Sequence, residues 1–162
     1  MKLQARLPDP AATEALGSRL AATLPGPAVV YLRGDLGAGK TALARALLQA
    51  LGAAGPIKSP TYSLVESHLL TQGEAAHLDL YRVAQAAELE FLGLQERLPE
   101  LRLVLVEWPD RGAGALPPAD LTVDLAVEDD ARQVCLEAGS QLGDAWLEAL
   151  VRTDGPPFNG TS

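Results

Sequence analysis

The amino-acid sequence predicts a single compact α/β domain, with a mixed central β-sheet flanked by helices and an antiparallel hairpin near the C-terminus. Strand-like and helix-like segments alternate along the first half of the chain, which favours helices packed over a sheet. Neither a repeat nor a linker divides the 162 residues. A chain of this length buries about two-thirds of its surface, so it can form a core without disulfides.

The first four elements follow from the spacing of apolar residues. Apolar and polar residues alternate over 3–7, which is the period of a half-buried strand. Asp9 and Pro10 then suit the N-cap and the first position of a helix that continues toward Pro25. A short apolar run at 28–32 predicts a buried strand. Leucines spaced four residues apart after it predict a second helix, which Gly52 ends.

The later elements have less regular patterns. Segments 61–68 and 75–83 are predicted strands around a turn, and 86–94 is a predicted helix. The most apolar run, 103–106, predicts a central strand. Alternation over 121–127 and 132–136 predicts the hairpin, and a last helix is expected at 144–151. We therefore expect one folded domain over 1–152 and a disordered tail over 153–162.

Composition excludes several classes of protein. Thirteen basic and 21 acidic residues give a net charge of −8, which argues against direct nucleic-acid binding, since that depends on Lys and Arg at phosphates. The single cysteine, Cys135, excludes an internal disulfide and a zinc cluster of paired thiols. No apolar run approaches the roughly 20 residues of a membrane helix, and the first residues do not resemble a signal peptide. We expect a cytoplasmic protein.

The strongest chemical signal is the segment GDLGAGKT at 34–41, which matches the P-loop pattern G-x-x-x-x-G-K-[ST]. Glycines let the backbone close around phosphates, where a Cβ would clash. In such a loop Lys40 reaches the β and γ phosphates and the Thr41 hydroxyl binds Mg²⁺. The helix that begins here adds the positive end of its dipole. The alternative is a Gly-rich turn that binds nothing.

A P-loop needs a further acidic residue for its metal ion. Four apolar residues at 103–106 end in Glu107, the arrangement of a Walker B strand. Trp108 occupies the position where many ATPases carry a second carboxylate, so we expect slow hydrolysis. Trp108 is expected near the nucleotide or a partner surface, with core packing as the alternative.

Two more segments carry polar residues in ordered patterns. One is KSPTYSLVE at 58–66, and the other is HLDLYR at 77–82. Strand periodicity puts His77, Asp79 and Tyr81 on one face, which must meet water or a site. The alternative for these segments is a polar loop and an ordinary amphipathic strand.

Together these segments resemble the TsaE (YjeE) family, the small bacterial ATPases of tRNA threonylcarbamoyladenosine synthesis. The markers, in order, are GDLGAGKT, KSPTYSLVE, HLDLYR, ELEFLG at 88–93 and LVEWPDR at 105–111. The resemblance extends from the first helix to the hairpin and leaves out only the tail after Gly155. It implies a P-loop NTPase domain that binds ATP and Mg²⁺ and hydrolyses ATP slowly. It also implies two partners, TsaD, which transfers threonylcarbamoyl to the adenosine next to the anticodon, and TsaB, with tRNA met only through the complex.

The resemblance also implies roles for particular residues. Thr41 and Glu107 would hold Mg²⁺, Lys40 and Glu107 would serve catalysis, and Asp79 matches the family's essential strand aspartate. Thr61 lies in a loop that resembles a nucleotide-sensing switch. Thr13 and Arg132 match positions that approach the nucleotide away from its phosphates, although a helix-surface threonine and a hairpin arginine are the alternatives. The residues expected at the phosphates are Gly37, Ala38, Gly39, Lys40, Thr41 and Ala42.

Other functions are compatible with a P-loop. A small-molecule kinase would also need a lid with arginines, and none is evident between Trp108 and Pro118. A non-catalytic adaptor would use ATP binding alone to promote assembly. Direct tRNA recognition is disfavoured by the negative charge.

Overall fold

The computed structural model describes residues 1–55, 57, 65–81 and 93–161 and arranges them around a mixed β-sheet of eight strands. The strands are β1 (Lys2–Leu7), β2 (Ala28–Arg33), β3 (Val65–Leu69), β4 (Glu74–Asp79), β5 (Leu103–Glu107), β6 (Leu121–Glu128), β7 (Ala131–Ala138) and β8 (Asn159–Thr161). The α-helices are α1 (Pro10–Thr23), α2 (Lys40–Ala50), α3 (Leu94–Arg97) and α4 (Gln141–Val151). Short 3-10 helices cover Leu98–Glu100 and Pro109–Gly112.

The order of the strands is β3-β4-β5-β2-β6-β7-β1-β8. The four strands β4, β5, β2 and β6 run parallel, and each outer neighbour pairs antiparallel. The predicted mixed sheet and the β6–β7 hairpin are therefore confirmed. Because neighbouring parallel strands end at the same edge of the sheet, the segments that follow β2, β4 and β5 lie close together at that edge.

Helices cover both faces of this sheet. One core joins the inner faces of α1, α2 and α4 to the sheet, and a second core lies between α3 and the opposite face. Trp146 of α4 is fully buried in the first core, where its Nε1 donates to Leu20 O and Thr23 Oγ1, each at 3.1 Å. Among the helices that the structure describes, none has the length and apolar character required to cross a membrane.

The predicted helix ends match their chemistry. Asp9 Oδ1 accepts from the Ala12 backbone N–H at 2.9 Å, and Pro10 is the first residue of α1, as its fixed φ favours. At the C-terminal end of α2, the N–H of Gly52 donates to Gln49 O and the N–H of Ala53 donates to Leu48 O, each at 3.0 Å. This pair of bonds satisfies carbonyls that the helix leaves without partners.

The prediction of a disordered tail differs from the structure. Asn159–Thr161 pair antiparallel with Lys2–Gln4 as β8, and the Arg19 guanidinium lies 4.6 Å from the centre of the Phe158 ring. The tail has little strand signal of its own. Its order in the structure comes from pairing with the edge of β1 and from contact with the side of α1. The predicted strand at 75–83 ends at Asp79, and residues 82–83 of that prediction lie outside the described residues. Residues 61–64 of the predicted strand at 61–68 and residues 86–92 of the predicted helix at 86–94 also lie outside them.

Candidate functional site

The Gly-rich loop lies between the end of β2 and the start of α2. Gly37 and Gly39 have φ values of 81° and 108°, a left-handed conformation that favours glycine. A Cβ built on either residue would meet no atom within 4 Å, so the loop opens onto free space. The first N–H groups of α2, which begins at Lys40, have no partner within the helix and attract anions. The loop therefore offers open space beside the N-terminus of a helix, which is an arrangement that suits an anion.

Lys40 is folded back over this loop. Its Nζ donates to the carbonyl oxygens of Gly34 at 2.5 Å and Asp35 at 3.0 Å, and it lies 4.3 Å from the centre of the Trp108 ring. Burial lowers the pKa of Lys40, and the negative charges of Glu107, Asp79 and Asp35 oppose that shift. A phosphate oxygen is a stronger acceptor than a neutral carbonyl, so an anion in the loop would attract this ammonium.

Glu107, at the end of β5, lies beneath the loop and is almost fully buried. Thr41 Oγ1 donates to Glu107 Oε1 at 3.0 Å, and His77 Nε2 lies 2.6 Å from Glu107 Oε2. The two carboxylate oxygens thus have partners from α2 and β4. A threonine hydroxyl and a carboxylate are the oxygen ligands that Mg²⁺ prefers. The pair therefore fits the chemistry of a magnesium site.

Asp79 ends β4 beside Glu107, with which it is paired in the parallel register of β4 and β5. Its Oδ1 accepts from the Tyr81 backbone N–H at 3.1 Å. The Tyr81 ring in turn lies 5.0 Å from the Trp108 ring. Strand order thus brings two carboxylates from separate segments to the edge of the sheet where Lys40 begins α2.

A cavity of about 180 Å³ lies on the other side of the loop. Thr13, which is buried on α1, and Arg132 of β7 both line it. Arg132 also supports the loop, because its Nε donates to Ala38 O and its Nη2 to Gly37 O, each at 3.2 Å. The full lining is Leu7, Asp9, Pro10, Thr13, Ala38, Gly39, Ala42, Asp130 and Arg132.

The predicted site residues therefore fall into two groups around one loop. Lys40, Thr41, Asp79 and Glu107 lie at the carboxyl edge of the parallel strands, and the remaining ones line the cavity or form the loop. Thr61 and most of its segment lie outside the described residues. His77 was not predicted as a site residue. The sequence signal for it is the two-residue spacing from Asp79, which places His77 on the same face of the strand as Asp79.

Known proteins resemble this chain over most of its length. Residues 7–134 match the family model described as threonylcarbamoyl adenosine biosynthesis protein TsaE. The tRNA threonylcarbamoyladenosine biosynthesis protein TsaE of Haemophilus influenzae is 45% identical over 122 residues, which cover 75% of this chain and 77% of that protein. The protein of the same name from Streptomyces coelicolor is 37% identical over 141 residues, or 84% and 95% of the two chains. The crystal structure of Bacillus subtilis YdiB superposes with a TM-score of 0.79 at 27% identity and covers 94% of this chain and 95% of YdiB.

Proposed function

This chain belongs to the TsaE family, and from that premise we propose that it is a Mg²⁺-dependent ATPase that supports TsaD and TsaB. The family assigns it a role in tRNA threonylcarbamoyladenosine biosynthesis. The proposed substrate is ATP, and the chain would contact tRNA only through the complex with TsaD and TsaB. A cytoplasmic location is part of the same proposal.

The observation that carries the proposal is the contact between Thr41 and Glu107 directly beneath the Gly-rich loop. Their oxygens lie 3.0 Å apart although the residues come from α2 and β5. A metal ion held there would lie next to phosphates in the loop. The Lys40 ammonium, which donates to the loop carbonyl of Gly34, would bind the same phosphates. Bound Mg²⁺ would supply charge neutralisation to those phosphates. The cavity beside Thr13 and Arg132 would take the nucleoside end.

Weak activity of the isolated protein is part of the proposal. Trp108 follows Glu107 directly, and its ring packs against the Lys40 ammonium at 4.3 Å. An aromatic ring cannot take the proton of an attacking water, so the position after Glu107 supplies no general base. Asp79 is a further carboxylate close enough to act on the charge of Lys40. We assign it the role of coupling the state of the γ-phosphate to the partner proteins, with orientation of the water as the alternative.

Magnesium-dependent nucleotide binding tests the site. In a titration with a fluorescent ATP analogue, Glu107→Gln should raise the Mg²⁺ concentration needed for half-maximal binding, because an amide is a poorer ligand for a hard cation. Glu137→Gln is the matched control, since Glu137 is exposed on β7 beside Lys2. An unchanged Mg²⁺ requirement in Glu107→Gln would remove Glu107 from the metal site. Products identify the reaction: ADP and phosphate alone support an ATPase, whereas a phosphorylated small molecule would indicate a kinase.

Asp79→Ala tests the coupling role. We expect ATP affinity to stay within a few fold of wild type while tRNA modification by the reconstituted system is lost. Asp79 also accepts from the Tyr81 N–H, so a purely structural role would lower the melting temperature and leave modification intact. Asp144→Ala on α4 is the control for removal of a carboxylate, and it should retain wild-type ATP affinity and tRNA modification.

A further inference from the structure

His77 occupies a position where its polarity has a cost. It lies within β4 with no exposed surface, between the apolar residues Ala76 and Leu78. A buried polar group is unfavourable unless it is hydrogen-bonded, and an apolar side chain would pack there at lower cost. Within the part of the chain that the structure describes, His77 Nδ1 has no hydrogen-bond partner. The polar contact that justifies an imidazole at this position is therefore the one at Nε2.

That contact is with Glu107. The register pairs His77 with Leu105 and Asp79 with Glu107, so the imidazole reaches diagonally along β5 to the carboxylate. The distance from Nε2 to Oε2 is 2.6 Å. Carboxylate oxygens only accept hydrogen bonds, so Nε2 is the nitrogen that carries the proton. The bond ties Oε2 to β4 and leaves Oε1 turned toward Thr41, at 3.0 Å.

We propose that His77 is a positioning residue of the metal site, which holds the Glu107 carboxylate in the orientation that presents Oε1 beside Thr41. This inference rests on the proposed function, because it concerns the same magnesium site. A glutamate side chain has several rotatable bonds, and a second partner removes most of that freedom. Groups that orient a metal ligand in this way typically change metal affinity by about 10- to 100-fold when they are removed.

Three variants separate positioning from packing. His77→Leu removes the donor and keeps an apolar side chain, and His77→Gln keeps an N–H donor with similar reach. His68→Leu is the matched control, because His68 lies on the neighbouring strand β3 with its ring 6.5 Å from that of His77. The measurement is the Mg²⁺ concentration at half-maximal binding of a fluorescent ATP analogue, together with its affinity in the absence of Mg²⁺.

We expect His77→Leu to raise the Mg²⁺ midpoint by about 10- to 100-fold and to leave the Mg²⁺-free affinity within about twofold. His77→Gln should restore most of the wild-type midpoint, and His68→Leu should match wild type. A His77→Leu midpoint within twofold of wild type would overturn the proposal. Equal shifts in His77→Leu and His77→Gln would also overturn it, because packing rather than the donor would then matter. If His77→Leu does not fold, His77→Asn replaces it as an amide too short to reach Glu107.

A second measurement uses the protein without metal or nucleotide. The losses in melting temperature of His77→Leu, Glu107→Leu and the double variant should be coupled. The loss in the double variant should be smaller than the sum of the single losses, because either substitution alone removes the hydrogen bond. Additive losses would show that the two side chains do not interact. If wild type binds no ATP analogue at any Mg²⁺ concentration, the proposed function fails, and this coupling still decides whether His77 holds Glu107.

Discussion

Replacement of Lys40 by alanine should weaken ATP binding by about 10- to 150-fold while the domain remains folded. Lys40 Nζ is already inside the Gly-rich loop, where it donates to the carbonyls of Gly34 and Asp35. A phosphate in the loop would replace these neutral acceptors with charged ones. Hydrogen bonds to charged groups contribute about 1.5–3 kcal/mol, which corresponds to about 10- to 150-fold in Kd.

The fold should tolerate this change because burial already disfavours the ammonium, as the lowered pKa of Lys40 indicates. Loss of the two contacts with loop carbonyls is then offset by removal of a buried charge. We expect a stability change of about 1 kcal/mol or less, which corresponds to a shift of at most about 2–4 °C in the melting temperature of a domain of this size. The substitution thus separates ligand binding from folding.

Isothermal titration calorimetry with a non-hydrolysable ATP analogue and Mg²⁺ measures the affinity, and circular dichroism verifies the fold. Lys2→Ala is the control, since it produces the same net charge, −8 − 1 = −9, at a site on β1. A folded Lys40→Ala variant that binds within twofold of wild type would refute the assignment of the loop. An equal loss in Lys2→Ala would show that net charge, rather than the loop contact, controls binding.

Three further predictions concern other parts of the chain. Arg132→Ala removes two donors to the loop carbonyls of Gly37 and Ala38, so ATP affinity in the same titration should fall by about 5- to 30-fold, and an unchanged affinity would contradict its supporting role. Truncation after Gly155 removes β8 and the Phe158 contact with Arg19, so the melting temperature should fall by about 2–6 °C, whereas a disordered tail would leave it unchanged. Burial raises the pKa of the Cys135 thiol above its ordinary value of 9.0, so between 9.0 and the raised value the folded protein holds a proton that the unfolded chain releases. This thiol's contribution to the free energy of unfolding should therefore fall as pH rises above 9.0, and alkylation at pH 8.5 should be slower in buffer than in urea; equal rates would contradict the shift.

Elements with local signals could be predicted from the sequence. The N-cap Asp9 and the first helical residue Pro10 carry the chemistry of a helix start in two adjacent residues. The Gly-rich loop is likewise contained in eight consecutive residues, and Glu107 directly ends its apolar strand. Each of these signals is complete without knowledge of any distant part of the chain.

Features that depend on strand order could not be predicted in this way. His77 and Glu107 are 30 residues apart, and only the placement of β4 beside β5 brings them together. Arg132 reaches Gly37 because β6 pairs with β2 and carries β7 with it, a relation that the hairpin pattern does not contain. The tail becomes β8 because β1 offers it an edge. In each case the missing information is a non-local pairing.

The most direct test of the central claim is reconstitution of tRNA modification with this chain, TsaD, TsaB, a preformed activated threonylcarbamoyl donor, ATP, Mg²⁺ and tRNA from the same organism, with threonylcarbamoyladenosine and ADP both measured over time. We predict repeated rounds of modification that require this chain and are accompanied by ATP hydrolysis. Lys40→Ala should abolish both. Equal modification without the chain, or with Lys40→Ala in its place, would contradict the proposed function. Sustained modification with a non-hydrolysable analogue in place of ATP at this site would instead identify a nucleotide-gated adaptor.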